Sequence, residues 1–197
     1  GDVALGVVTA HHYSAAHNSA LNKKFVEAFG KANGGLRPNF MAVGWITRVN
    51  LKPPMIAIGL AKQHYTNTGI HSSKAFSVNI PSVDLLQKVD YCGIRSGRNV
   101  DKSTLFTVTE GPATGAPMID DCPLCMECKL VKVVDLPSHE LFIGEIVSAF
   151  ANAEICSDGR PDTRKIKPFT LTMPDNRYWA VGDFAGNAWS IGKDLER

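Results

Sequence analysis

Seven short runs rich in β-branched and aromatic residues constrain this chain more than any other feature: residues 3–9, 40–47, 55–60, 76–80, 105–109, 124–134 and 141–150. Each is bounded by Gly, Pro, Asn or Asp, which favour turns and interrupt strand ladders. Only small helical pieces fit between them. A doubly wound parallel sheet needs a full helix in most crossovers, so the succession predicts a mainly β fold built as an antiparallel barrel.

Leu21, Phe25 and Phe29 recur every four residues and so share one helix face, which Asn33-Gly34-Gly35 terminates. Ser82 is placed to cap a helix running through Lys88, because its hydroxyl can accept from the orphan amides of a first turn. A shorter helix is expected after Asn67. Pro161, Pro168 and Pro174 each remove a backbone donor, so residues 158–177 read as a long ordered arm or loop. The expected organisation is a single domain over 1–197, with a helical insertion at 14–35 and an irregular C-terminal arm at 158–197. There is no internal repeat.

With 197 residues, of which 44% are apolar and 20% charged, the chain is long enough to bury a core without a disulfide or metal staple. Net charge is +2, and the one basic cluster, Arg160, Arg164, Lys165 and Lys167, interleaves with Asp158 and Asp162. A nucleic-acid binder concentrates far more cations on one face. The longest apolar stretch, 53–61, is well short of the roughly 20 residues that span a bilayer. Five cysteines, an odd number, suit a reducing compartment, and the first residues lack the charged-then-apolar layout of a secretory signal. A cytoplasmic protein without nucleic-acid or membrane partners is expected.

Dinucleotide, P-loop, zincin and hydrolase signatures are all missing from the sequence. Ser96 lacks the spacing of a nucleophile elbow and reads as a turn residue. Cys122-Pro-Leu-Cys125-Met-Glu-Cys128 is the strongest local metal signal, since thiolates three residues apart can converge on one iron or zinc. Lys132 stands where a ferredoxin-type run would place its next cysteine. Strand alternation also sends Cys125 and Cys128 to opposite faces. Packing thiols are the expectation and no metal site is assigned; a Cys-ligated metal or iron–sulfur protein is the remote alternative. His11, His12, His17, His64, His71 and His139 show no ligand spacing.

Eight elements in order carry the functional signal. They are Arg37-Pro-Asn-Phe-Met-Ala-Val-Gly-Trp-Ile-Thr-Arg-Val-Asn50, Lys52-Pro-Pro-Met-Ile-Ala-Ile-Gly-Leu60, Lys62-Gln-His-Tyr-Thr66, and Phe76-Ser-Val-Asn-Ile-Pro81. Asp90-Tyr-Cys-Gly93, Ser96-Gly-Arg98 with Asp101-Lys102, Glu127-Cys-Lys129 and His139-Glu-Leu-Phe-Ile-Gly-Glu-Ile146 follow. In this order and at these spacings the chain resembles the flavin reductase-like family of FMN-binding split barrels, and most closely its flavoredoxin branch. The resemblance covers 39–147 firmly and the ends loosely.

It implies a Greek-key split barrel, a homodimer, and one FMN per subunit near the interface, through which electrons pass from NAD(P)H to an acceptor. The alternative is a flavoredoxin-like electron carrier that has no nicotinamide activity and exchanges electrons with a redox partner protein. In either case the protein contributes positioning and electrostatics rather than a side-chain acid or nucleophile.

An FMN site must neutralise a phosphate, sandwich an apolar ring and offer donors to the ring's polar edge. If 60–66 is extended, Lys62, His64 and Thr66 point one way and form the phosphate row. The family binds phosphate in this segment, and Arg98, with Ser96, Gly97 and Lys102, is implied as a second cationic group at the cofactor or dimer contact. Gly44, Trp45, Ile46 and Thr47 are expected along the ring, with Asn50 as a donor and Asn79, Ile80 and Pro81 closing another side. His139 aligns with a family histidine beside which nicotinamide docks. Here Leu136-Pro-Ser-His139 replaces the family's Gly-Asp-His. The insertion between the first strand and Pro38-Asn39 is expected to lid the flavin or extend the dimer contact.

Overall fold

A computed structural model describes residues 37–195, together with Val7–Val8 and the helical positions 24, 27, 30 and 31. The expected stripe of Leu21, Phe25 and Phe29, and most of the 14–35 insertion, lie outside the described residues.

The main sheet has the order β2-β3-β8-β7-β4, with β1 added in parallel to β8. Its strands are β1 (Val7–Val8), β2 (Ile46–Asn50), β3 (Met55–Ala61), β4 (Ala75–Ile80), β7 (Leu124–Asp135) and β8 (His139–Ala151). β8 organises the rest. Its first half runs antiparallel to β3, from Ala61↔His139 to Met55↔Glu145, and its far end pairs with β1 through Val7↔Ala149 and Val8↔Phe150. Its other edge is covered by β7 from Leu124↔Ala151 to Asp135↔Glu140. Bulges between Glu127 and Cys128 and between Leu130 and Lys132 shift that register, and bulges strengthen strand twist, which lets so long a hairpin curl. The result is the mainly β split barrel that the sequence predicts, with the small hairpins β5–β6 (Val108–Glu110, Pro117–Ile119), β9–β10 (Cys156–Ser157, Arg160–Pro161) and β11–β12 (Phe169–Thr172, Arg177–Ala180) around it.

Alternation places Ile56, Ile58 and Leu60 on the face that packs against Phe76, Val78, Phe142 and Ile70. A second cluster joins Phe40, Phe106, Val108, Met118 and Ile119 with Cys92, Cys122 and Cys125. Cys128 belongs to the first cluster and Cys125 to the second, as the expected alternation requires.

Several expectations need correction. Phe40 does not begin a strand: residues 40–45 are irregular, because Phe40 is drawn into the core and its carbonyl accepts from Lys102 Nζ (2.8 Å) instead of a ladder amide. The run expected at 105–109 is strand only from Val108, because Leu105 ends a 3₁₀ turn (Lys102–Leu105) held by Asp101 Oδ1, which accepts from the amide and hydroxyl of Ser103 (3.0 and 2.6 Å). Ser82 caps nothing with its side chain. A 3₁₀ turn at Val83–Leu85 leads instead into helix α2, Leu86–Ile94, while helix α1 spans Tyr65–Ser73.

The stretch 158–177 is also more regular than expected. It holds β10, the one-turn helix α3 (Thr163–Ile166) capped by Asp162, and most of the β11–β12 hairpin. Pro168 precedes β11, Pro174 lies in the turn beyond it, and Pro161 ends the short β10, so no long ladder is interrupted.

Candidate functional site

The irregular segment from Arg37 to Gly44 crosses the open side of the sheet and, with α1, β3 and β4, encloses a cavity of about 370 Å³. Its walls are mostly apolar: Ile58, Leu60, Ile70, Phe76, Val78, Phe106 and Ile119 among others, with Phe169, Leu171 and Tyr178 of β11–β12 contributing one side of a half-open cavity. A second pocket of about 120 Å³ lies behind Asn39 and Tyr65 and is polar, lined by Arg37, Gly97, Arg98, Asn99 and Asp101. Arg37, Asn39 and Tyr65 line both, so an apolar chamber and a cationic one share a wall.

That wall carries unspent polar capacity. Asn39 Nδ2 donates to Thr66 Oγ1 at 2.8 Å, while Asn39 Oδ1 is buried and has no partner. Buried acceptors are rarely left so. Gly97 backs it closely: a Cβ there would lie 2.1 Å from Asn39 Oδ1 and 2.9 Å from the Tyr65 ring. The Arg98 guanidinium sits 5.8 Å from the Tyr65 ring centroid, and Arg37 pairs with Asp101 at 3.3 Å.

Of the residues singled out in the sequence, Gly44, Ile46, Thr66, Asn79, Ile80 and Pro81 line the apolar cavity and Gly97 and Arg98 the polar pocket. Asn79 is spent on the fold, donating to Ser77 Oγ (2.9 Å) and accepting from Ile119 N (3.0 Å). Ser96 Oγ accepts from Arg98 N at 3.3 Å. Thr47 and Asn50 are exposed and donate to the carbonyls of Arg48 and Pro53. Lys102 lies in neither pocket: its buried ammonium bonds the carbonyls of Phe40 and Cys92 (2.8 and 2.9 Å), and burial pulls its pKa down.

The expected phosphate row does not form. β3 ends at Ala61, Lys62 and Gln63 turn, and His64 N bonds Ala61 O to launch α1 at Tyr65. Lys62 is carried to Asp135, at 2.5 Å, and only Thr66 faces the cavity. His64 Nδ1 is buried without a partner; burial first, then His139 and Lys102, lowers its pKa. His139 is half-buried and lines neither pocket, with the Trp45 indole over its imidazole at a centroid distance of 4.5 Å and planes 33° from parallel. Trp45 itself packs on Gly59, where a Cβ would sit 3.5 Å from the indole.

Arg37, Tyr65, Leu171 and Tyr178 were missed as site residues. The pattern Phe169-Thr-Leu-Thr and Arg177-Tyr-Trp-Ala around Pro174-Asp-Asn is a hairpin signal that would have found the last two.

Among the described residues no three metal-ligating side chains cluster. Burial pushes the Cys125 and Cys128 thiols up to about 12, and Cys122 higher still. No helix among the described residues is long and apolar enough to cross a membrane.

The six-stranded sheet with its long β7–β8 hairpin is the fold of a split barrel. The chain belongs to the family described as flavin reductase like domain, whose model matches residues 7–167. It is similar to the crystal structure of flavoredoxin from Methanosarcina acetivorans, with 48% identity, covering 80% of this chain and 84% of that one at a TM-score of 0.78. The flavoredoxin of Desulfovibrio vulgaris (Miyazaki F) is 35% identical over 78% of this chain and 84% of its own, at 0.73. An FMN-binding protein from Thermus thermophilus with bound 1-cyclohex-2-enone is 25% identical over 75% and 82%, at 0.65.

Proposed function

We propose that this chain binds FMN and passes electrons from NAD(P)H to an acceptor. One observation carries the reading: the apolar cavity and the arginine-lined pocket meet at Arg37, Asn39 and Tyr65, which suits a broad apolar ring with an anionic tail. Gly44, Ile46, Ile58, Leu60 and Ile80 would hold the ring, and Arg98, with Arg37, would face the phosphate. Asn39 Oδ1 is left for a hydroxyl of the connecting chain. Bound FMN would supply the two-electron chemistry. The chain's own part is to exclude water with its apolar walls and to orient what docks above them.

The chain is proposed to act as a homodimer. β2 is an edge strand exposed along its whole length, and Trp45, Val49 and Leu51 add apolar surface there, which a lone subunit would leave open to chance pairing. Five free cysteines suit the reducing cytoplasm.

A second reading, an electron carrier that takes electrons only from a partner protein, is supported by the pairing of His139 with the Trp45 indole, since neither residue lines the cavity or the polar pocket. Stopped-flow bleaching of the flavin-loaded protein by NADH, NADPH and dithionite tests the two. Fast bleaching by a nicotinamide, slowed in His139→Ala with dithionite unaffected, supports the reductase. Inertness to both nicotinamides leaves the carrier.

A further inference from the structure

The cavity's upper wall is a hairpin that lies beyond residues 7–167, the part matched by the family model. Among the described residues β11 and β12 pair only with each other, from Phe169↔Ala180 to Thr172↔Arg177, and the edge-on contact of Phe169 with Tyr178 (5.7 Å, 86°) stiffens the pair internally. The hairpin is therefore a unit able to move whole. Its root is defined: Val83 N bonds Lys167 O, Lys167 has φ 52°, and Val181 N closes onto Pro168 O. Past the root, one side-chain hydrogen bond among the described residues joins the hairpin to the rest of the chain, from Tyr178 Oη to Asp90 Oδ1 of α2 at 2.8 Å. Leu171 adds apolar contact, reaching to 3.7 Å of where a Cβ on Gly44 would stand.

We propose that this hairpin is a gate on the cavity, latched by Tyr178 on Asp90, and that its opening limits the entry and release of the ligand. That the ligand is a flavin rests on the function proposed above; the gate itself does not. In the closed position Phe169, Leu171 and Tyr178 complete the apolar chamber, and opening hinges at Lys167–Pro168 and breaks the Tyr178 bond. Burial and the neighbouring Asp90 carboxylate raise the Tyr178 pKa, so the latch hydroxyl stays protonated well into the alkaline range.

The cavity contains its own reporters. Cys92 and Cys122 are buried and line it, whereas Cys128 is buried in the other core cluster. Tyr178→Phe removes the latch and keeps the ring, and should speed alkylation of Cys92 and Cys122 by a small thiol reagent about tenfold, as loss of one hydrogen bond to a carboxylate allows. Cys128 should not change. Asp90→Ala should do the same, and the double variant should go no further than either alone. FMN association and dissociation should both accelerate, with Kd moving less than either rate. Unchanged Cys92 and Cys122, acceleration of Cys128 in parallel, or additive single effects would each overturn the latch. Faster alkylation with unaltered FMN rates would overturn its role in entry. If the protein binds no FMN at all, the flavin reading fails and the alkylation rates still decide the gate.

Discussion

Asn39 and Thr66 are locked together at the wall between the two chambers, Nδ2 to Oγ1 at 2.8 Å, in a way that spends the amide's donor and leaves its oxygen buried and free. The arrangement joins Pro38-Asn39, on the irregular segment, to the first turn of α1, two places the sequence had marked separately.

Gly97 keeps that wall in place. In Gly97→Ala the new methyl would collide with Asn39 Oδ1 and the Tyr65 ring, so Asn39 must move. Overpacking of this kind costs about 1–3 kcal/mol. Urea denaturation should show that loss together with weakened FMN binding; full affinity in a destabilised variant would separate Asn39 from the ligand.

His64 makes the protein acid-sensitive. Its folded pKa is lowered, mainly by burial, so below about 6.5 the unfolded chain takes up a proton that the folded one resists. Stability is whole above that value and is lost as pH falls through the folded pKa. Melting temperatures from pH 7.5 downward should drop less in His64→Gln than in the parent; parallel curves would assign the acid loss elsewhere.

Glu127, fully buried, holds the β5–β6 loop by accepting from the amides of Ala113 and Thr114 and the Thr114 hydroxyl at 2.9–3.1 Å. Glu127→Ala leaves those donors unpaired and opens space in the core, and should cost about 1–3 kcal/mol. Chemical denaturation measures it, and a loss under 1 kcal/mol would mean that water replaces the carboxylate.

The central strands were legible because 55–60, 76–80, 124–134 and 141–150 are pure β runs with clean punctuation, and the structure keeps each within two residues of either end. The site was legible by halves. Gly44, Ile46 and Ile80 reach the cavity because they stand on or beside those strands, and Thr66 reaches it from the first turn of α1. Lys62 does not, since the turn at Lys62-Gln63 has neither Gly nor Pro to announce it, and the segment read as a continued strand. The gate hairpin was hidden by the opposite error: Pro168 and Pro174 were read as breakers, whereas they sit just before β11 and in its turn.

Cys125→Ser tests whether the cysteine run has a chemical role. Cys125 Sγ donates to Ile119 O at 3.3 Å, a bond that a serine hydroxyl can keep. Flavin content should be unchanged, and metal analysis of the parent protein should find neither iron nor zinc in stoichiometric amount. Metal present in the parent and absent in the variant would revive the metal alternative.

The central claim is that the two chambers hold one FMN with its phosphate on the arginine side. Equilibrium titration of the parent, Arg98→Ala and Lys62→Ala with FMN and with riboflavin tests it most directly. A charge-assisted hydrogen bond contributes about 1.5–3 kcal/mol, so Arg98→Ala should weaken FMN roughly tenfold to a hundredfold and barely alter riboflavin, while Lys62→Ala alters neither. Equal losses for both flavins in Arg98→Ala, or an FMN-specific loss in Lys62→Ala alone, would contradict the account.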